Sequence, residues 1–459
     1  MSALDKISLS SYSEAYFVGI GGIGMSALAR YFNSKNWRVN GYDKTPSALT
    51  HKLIDEGMHV HFEDLGSQLF SLIKDVSKCI FIYTPAIPND HKELLAIREA
   101  GLPLHKRSEI LGLITRETKG IGVAGTHGKT TTGSMLAHIL NQSRLGCSAF
   151  LGGIATNFAS NLVVNLHSPY TVIEADEFDR SFLHLQPFAS IITSTDADHL
   201  DIYGDTTEFL HGFQKYAQLV SPDGVLVKRE GLDVASNSGD LTYAIDSETA
   251  DYSGRNLLFE EGRFFMNVRT PSIEMNRVEL GIPGIHNAEN ALACIAMAQF
   301  LGVSEDEILN GLRTFRGVKR RFEYHIRTPK LIFIDDYAHH PTEIRALISS
   351  VRLLYPDLPV TGIFQPHLFS RTRDFFSGFS EELSKLDEVI LMPIYAAREL
   401  PIAGVTSETL MNSLTVEKKY LFDHSGAIEF IKGRRSGLIL TIGAGDIDRI
   451  VEPLAQQLQ

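Results

Sequence analysis

Short apolar runs alternate with helix-forming stretches along almost the whole chain. Tyr16–Val18, Arg38–Tyr42 and Cys79–Tyr83 read as strands, with Met25–Tyr31 as a helix between the first two. Another strand enters the stretch Ile121–Thr132, after which Met135, Leu136, Ile139 and Leu140 repeat at helical spacing. Tyr170–Ile173 and Ile191–Thr195 are strand-like, and Ala291–Ala298 is an alanine-rich helix suited to close packing. Four more strands are expected at Leu331–Ile334, Val360–Phe364, Val389–Met392 and Leu438–Ile442. Strands that alternate with helices predict α/β units with mostly parallel, doubly wound sheets, whose ligands sit outside the carboxyl ends of the strands.

The polar residues gather at those ends. In IGVAGTHGKTTT, Gly125, Thr126, His127 and Gly128 form a turn whose backbone N–H groups can face an anion. Lys129 adds a positive charge expected to face solvent when the loop is empty, and Thr130 or Thr131 offers a hydroxyl to Mg²⁺. A strict phosphate loop would carry glycine at 123, where this chain has valine. Nearer the start, Gly19, Gly21, Gly22, Ile23 and Gly24 complete a GxGxxG pattern, and Asp43 stands 19 residues after Gly24 at the end of the next strand. That pattern reports a diphosphate at a helix N-terminus, which NAD and a UDP-sugar both possess. Thr84 opens the segment after the third strand, where Pro85 and Pro88 prevent a helix from starting.

Glu174 closes one strand ahead of Asp176 and Glu177, and Asp196, Asp198, His199 and Asp201 follow another. Glu174 and His199 are the candidates for metal beside the phosphate loop, although histidine is an unusual ligand for Mg²⁺. His286, Asn287 and Asn290 open the alanine-rich helix, with the two asparagines on one face, where they either read a base edge or cap the helix. Arg320 and Arg321 belong to a basic cluster, and Asp336, His339 and Arg371 follow strands near the C-terminal end.

A chain of 459 residues is long enough for two to four domains. Its 43 basic and 55 acidic side chains give a net charge of -12, which offers no support for nonspecific nucleic-acid or membrane-surface binding. The three cysteines have no metal-ligand spacing, and no signal peptide or membrane span is read, so a soluble cytoplasmic protein is expected. A dehydrogenase reading explains GxGxxG and Asp43 but leaves the lysine loop idle.

GIGGIGMS, GVAGTHGKTTT, EADE, DHLDIYG, GIHNAEN, GVKRRFE, DDYAHHPTE and QPHLFSRTRDF occur in this order. Together they resemble the Mur ligases of peptidoglycan synthesis, most closely the L-alanine-adding branch. The resemblance implies three domains: a Rossmann-like UDP-sugar-binding domain at 1–107, a central ATP-binding domain at 108–318 with a mostly parallel sheet, and a Rossmann-like C-terminal ligase domain at 319–459. It implies ATP and Mg²⁺ as cofactors, and UDP-N-acetylmuramate and L-alanine as substrates, joined through an acyl phosphate. An alternative member attaches a whole tripeptide to the same sugar nucleotide. Gly19, Gly21, Gly22, Ile23, Gly24, Asp43 and Thr84 would then serve UDP. Lys129 would stabilise the transferring phosphoryl group, Thr130 and Glu174 would bind one Mg²⁺, and His199 would help hold a second. His286, Asn287 and Asn290 match the adenine segment, Arg320 or Arg321 the phosphate-reaching arginine, Asp336 the acid on the C-terminal side of ATP, and His339 and Arg371 the amino-acid pocket. Several family members carry a carbamylated lysine where this chain has Phe213; the alanine-adding branch is expected to lack it. Leu368 stands where another basic residue is expected, and a homodimer is left open.

Overall fold

The computed structural model describes residues 8–459 apart from 86, 197–199, 261–262 and 398. Three sheets organise the chain. The first is parallel, with order β3-β2-β1-β4-β5, built from β1 (Glu14–Val18), β2 (Arg38–Tyr42), β3 (His59–His61), β4 (Cys79–Tyr83) and β5 (Leu104–Lys106). Every residue of β1 is buried, as an interior strand covered on both faces requires.

The second sheet contains β6 (Lys119–Ala124), β7 (Ser148–Ala155), β8 (Ser160–Val163), β9 (Tyr170–Glu174), β10 (Ala189–Ile192), β11 (Leu226–Arg229), β12 (Asp240–Ile245), β13 (Tyr252–Glu260), β14 (Arg263–Arg269) and β15 (Glu274–Leu280). Its order is β15-β14-β13-β12-β11-β10-β6-β9-β7-β8, with β6 running parallel between β10 and β9. In that register Val123 lies opposite Glu174 and Ala124 opposite Ile192. The chain leaving β6 therefore emerges between the ends of β9, at Glu174, and β10, at Ile192. The helix it enters, Lys129–Gln142, buries Met135, Leu136, Ile139 and Leu140, as their spacing predicts.

The third sheet, β16-β17-β21-β18-β19-β20, is parallel except for its first strand. It comprises β16 (Glu323–Arg327), β17 (Leu331–Asp336), β18 (Val360–Phe364), β19 (Glu388–Leu391), β20 (Lys418–Leu421) and β21 (Gly437–Ile442). The expected α/β, mostly parallel fold is thus present in all three sheets. By compactness the chain falls into two units. One takes in Met1–Leu257, Phe265–Gly281 and Glu289–Arg316; the other takes in Leu258–Phe264, Ile282–Ala288 and Gly317–Gln459. Among the described residues no helix is long and apolar enough to cross a membrane.

Candidate active site

In the first unit the turn after β6 does what its glycines predict. Gly128 sits at φ +82° as the N-cap of the helix Lys129–Gln142, and a Cβ there would come within 2.9 Å of Asn290 Oδ1. No side chain caps this helix, so its first N–H groups and its positive dipole end remain available for an anion. The loop is braced from the end of β10: Thr126 Oγ1 donates to Asp196 O at 2.7 Å, and His127 N–H donates to Ser194 Oγ at 2.8 Å. His127 Nε2 also lies 3.3 Å from Asp196 Oδ2. Thr130 Oγ1 donates to Glu174 Oε1 at 2.9 Å, and Gly152 N–H donates to Glu174 Oε2 at 2.7 Å. Thr130 and Thr131 are both buried.

Lys129 is not the solvent-facing ammonium that the sequence suggests. Its Nζ donates to Gly125 O at 2.6 Å and to the two carboxylate oxygens of Glu177 at 2.8 and 2.7 Å. Burial works against the Lys129 charge, but Glu177, Asp176 and Glu174 outweigh it and hold the ammonium above the usual lysine range.

The GxGxxG turn of the first sheet belongs to the same unit. Asp43 Oδ2 accepts the Gly21 N–H at 2.7 Å, so this carboxylate orders the glycine loop itself. A Cβ at Gly24 would meet the Arg107 guanidinium, with Cζ at 2.9 Å, so a side chain there would displace this arginine. Arg107 Nη2 in turn lies 3.8 Å from Asp176 Oδ2. A cavity of about 380 Å³ is lined by Gly22 and Gly24, by Gly152 and Glu174, and by Thr84 and Arg107. A larger cavity, about 560 Å³, opens at the opposite, amino-terminal edge of the strands beside Tyr12, Trp37 and Glu117, away from both glycine loops. Arg107 was not among the residues that motif spacing picked out. Its signal is a contact between distant segments.

In the second unit, Asp336 accepts N–H groups from Phe322 at 2.7 Å and Ala338 at 2.8 Å. Burial pushes its carboxyl up to about 6, against the pull of Arg321. Arg320 is turned to Asp335 (3.3 Å), Gly443 O (2.7 Å) and Asp448 (3.7 Å), whereas Arg321 faces Glu343 at 3.8 Å. His339 Nδ1 lies 3.3 Å from Glu343, and its ring is 6.2 Å from that of His367. Arg371 Nη1 is 3.3 Å from His367 Nδ1. Burial lowers His286, His339 and His367 to about 4 each, with nearby arginines adding to the effect. His367, which the sequence reading left without a role, thus joins His339 and Arg371 in one cluster. Asn287 donates its side-chain N–H to Pro283 O at 2.6 Å, a tie to the carbonyl ahead of the helix. His199 lies outside the described residues.

Three family profiles match the chain in order: "Mur ligase family, catalytic domain" over residues 14–119, "Mur ligase middle domain" over 123–298, and "Mur ligase, glutamate ligase domain" over 320–445. The chain belongs to the Mur ligase family. It is 46% identical over 449 residues to a UDP-N-acetylmuramate--L-alanine ligase of Phocaeicola vulgatus, covering 97% of this chain and 98% of the relative. A protein of the same name from Porphyromonas gingivalis is 46% identical over 451 residues, covering 97% and 99%. Among solved structures, UDP-N-acetylmuramate-alanine ligase of Thermotoga maritima superposes with a TM-score of 0.81 at 28% identity, covering 96% of this chain and 98% of that one. A murein peptide ligase of Psychrobacter arcticus shares the fold, with a TM-score of 0.67 at 21% identity and coverage of 97% and 98%. Membership in this family makes the chain a ligase, not the dehydrogenase that the glycine pattern alone would suggest. Phe213 is fully buried, 5.3 Å from the ring of Phe182 and 5.2 Å from that of Phe209, and Lys215 is exposed.

Proposed function

We propose that this Mur ligase joins L-alanine to the carboxylate of UDP-N-acetylmuramate at the expense of ATP, through an acyl phosphate. The observation that carries the reading is the cavity of about 380 Å³ whose lining includes both the diphosphate-type glycine loop and Glu174, which is hydrogen-bonded to the phosphate-loop Thr130. A sugar nucleotide anchored by its diphosphate at Gly22 and Gly24 would extend its acid toward Glu174. The 46% identity along the chain to relatives of that name, against 21% to a murein peptide ligase of matching coverage, favours L-alanine over the tripeptide alternative.

The chemistry requires a carboxylate to attack the γ-phosphate of ATP. Two anions repel, so the protein must neutralise charge and hold the groups in line. Lys129 and the N–H groups at the start of its helix serve the phosphates, with Gly125, Thr126, His127, Gly128 and Thr131 shaping the loop. Thr130 and Glu174 are hard oxygen donors 2.9 Å apart, a set that fits Mg²⁺. Mg²⁺ bound there would neutralise phosphate charge. His199 is proposed for a second ion. Asn290, His286 and Asn287 are assigned to the adenine, and Arg320 with Asp336 to ATP, with Arg321 as the alternative arginine.

The L-alanine carboxylate is assigned to Arg371, which can form two parallel hydrogen bonds to it. Burial keeps His339 and His367 neutral, which leaves Arg371 as the cation of that cluster. The domain limits in this reading are 107/108 and 318/319, and the ligation is a cytoplasmic reaction, with which the three buried, unpaired cysteines accord.

The reading is tested by mass spectrometry of reactions containing ATP, Mg²⁺, UDP-N-acetylmuramate and, separately, L-alanine, glycine, L-serine or a tripeptide. A product one alanyl residue heavier supports it. Preferential capture of the tripeptide would replace it with the recycling reaction.

A further inference from the structure

An ammonium has three N–H donors. In Lys129 all three have short partners: Gly125 O at 2.6 Å and both Glu177 oxygens at 2.8 and 2.7 Å. Two anionic oxygens on one lysine are the same arrangement that a nucleotide phosphate presents to a phosphate-loop lysine. Glu177 is withdrawn from water, with its side chain 2% exposed beside 13% for Lys129. Its backbone is clamped as well, because Tyr203 Oη donates to Glu177 O at 2.7 Å and Arg180 N–H donates to the same oxygen at 2.9 Å. The following residues, Asp179 and Arg180, lie at φ +52° and +55°, a region that side chains other than glycine rarely adopt. They are held there by ties at both ends of the loop: Phe182 N–H to Asp176 O at 2.8 Å, and Lys106 to Asp179 at 2.9 Å. The fold thus fixes a carboxylate at the tip of the lysine.

Resting on the reading that this loop binds ATP, we propose that Glu177 is an internal stand-in for phosphate, which keeps Lys129 in place in the empty enzyme and which the incoming triphosphate must displace. Glu177 acts through Lys129 and is a positioning residue. It lowers nucleotide affinity in two ways: by occupying the lysine donors and by placing a negative charge where the triphosphate arrives. In return it stops the lysine from swinging into solvent between turnovers.

The test is isothermal titration of wild type, Glu177→Gln and Tyr203→Phe with the non-hydrolysable triphosphate β,γ-imido-ATP and with AMP, at fixed Mg²⁺ and pH. AMP carries no phosphate that reaches Lys129, so it reports general damage to the site. Glu177→Gln should tighten the triphosphate by about tenfold and leave AMP within about twofold. Tyr203→Phe, which loosens the clamp without changing charge, should tighten the triphosphate by roughly twofold to threefold. A triphosphate Kd that is unchanged or weaker in Glu177→Gln, or a parallel shift of both ligands, overturns the proposal. Should Glu177→Gln fail to fold, an unchanged or weakened triphosphate Kd in Tyr203→Phe overturns it too. Wild type that binds no triphosphate overturns both this role and the ATP reading beneath it.

Discussion

The Thr130 hydroxyl donates to the Glu174 carboxylate at 2.9 Å, tying the first turn of the phosphate-loop helix to the last residue of β9. The contact follows from strand register, since Val123 pairs with Glu174 six residues before the helix begins its course over the sheet. Glu174→Gln keeps an oxygen for the Gly152 N–H but loses the charge that attracts a hard cation. Activity should fall by about 100-fold or more, with the remainder needing far more Mg²⁺ for half-saturation. Rate against Mg²⁺ at saturating ATP checks this; an unshifted curve would remove Glu174 from the metal site.

The buried pair Lys129 and Glu177 makes loss of the lysine more than a catalytic defect. Removing one partner of such a pair leaves the other charge buried alone, at a cost of about 3 to 5 kcal/mol. Lys129→Met should therefore lower both kcat and the urea midpoint, while Lys129→Met with Glu177→Gln should regain most of the stability and none of the activity. Equal stability of wild type and Lys129→Met would contradict the pairing.

Much of this site was legible in the chain because phosphate chemistry is written locally. Gly125 to Thr131 are contiguous, and Glu174 and Asp336 each end an apolar run. What escaped is non-local. Arg107 gains its meaning from Gly24, and Lys129 was expected in solvent because nothing in the spacing of EADE places Glu177 on it. Strands β12 and β15 were missed for another reason. Their mixed exposure, with charged residues such as Glu274 and Arg277 facing water, gives no apolar run to detect.

Phe213 fills its position with a core aromatic ring, so no carbamate can form there, and Lys215 points to solvent. Turnover in carbon-dioxide-depleted buffer should be indifferent to added bicarbonate. Stimulation that disappears in Lys215→Ala would contradict this.

The buried imidazoles of the second unit set an acid limit. His286, His339 and His367 fall from 6.5 to about 4 on folding, so between those values the unfolded chain binds a proton at each that the folded chain does not. Stability from these groups is present above 6.5 and is lost as pH falls toward 4. Asp336 acts oppositely: raised from 3.8 to about 6, it holds a proton in the folded state across that interval and offsets one histidine. Asp335, raised by burial, acts in the same sense as Asp336, and the histidine excess that remains sets the direction, a loss of stability with acid. Urea unfolding from about pH 7 to about pH 5 should show that loss, reduced by about one proton in His339→Gln. A flat profile would mean that these rings are hydrated.

The central claim is that the sugar-nucleotide carboxylate itself attacks ATP, and a heavy-oxygen label on that carboxylate tests it most directly. UDP-N-acetylmuramate carrying two heavy carboxylate oxygens is incubated with the enzyme, ATP, Mg²⁺ and L-alanine, and the released phosphate is analysed by mass. An acyl phosphate route transfers one heavy oxygen to each phosphate formed and leaves one in the new amide. Phosphate free of label, at a rate matching amide formation, would contradict the account.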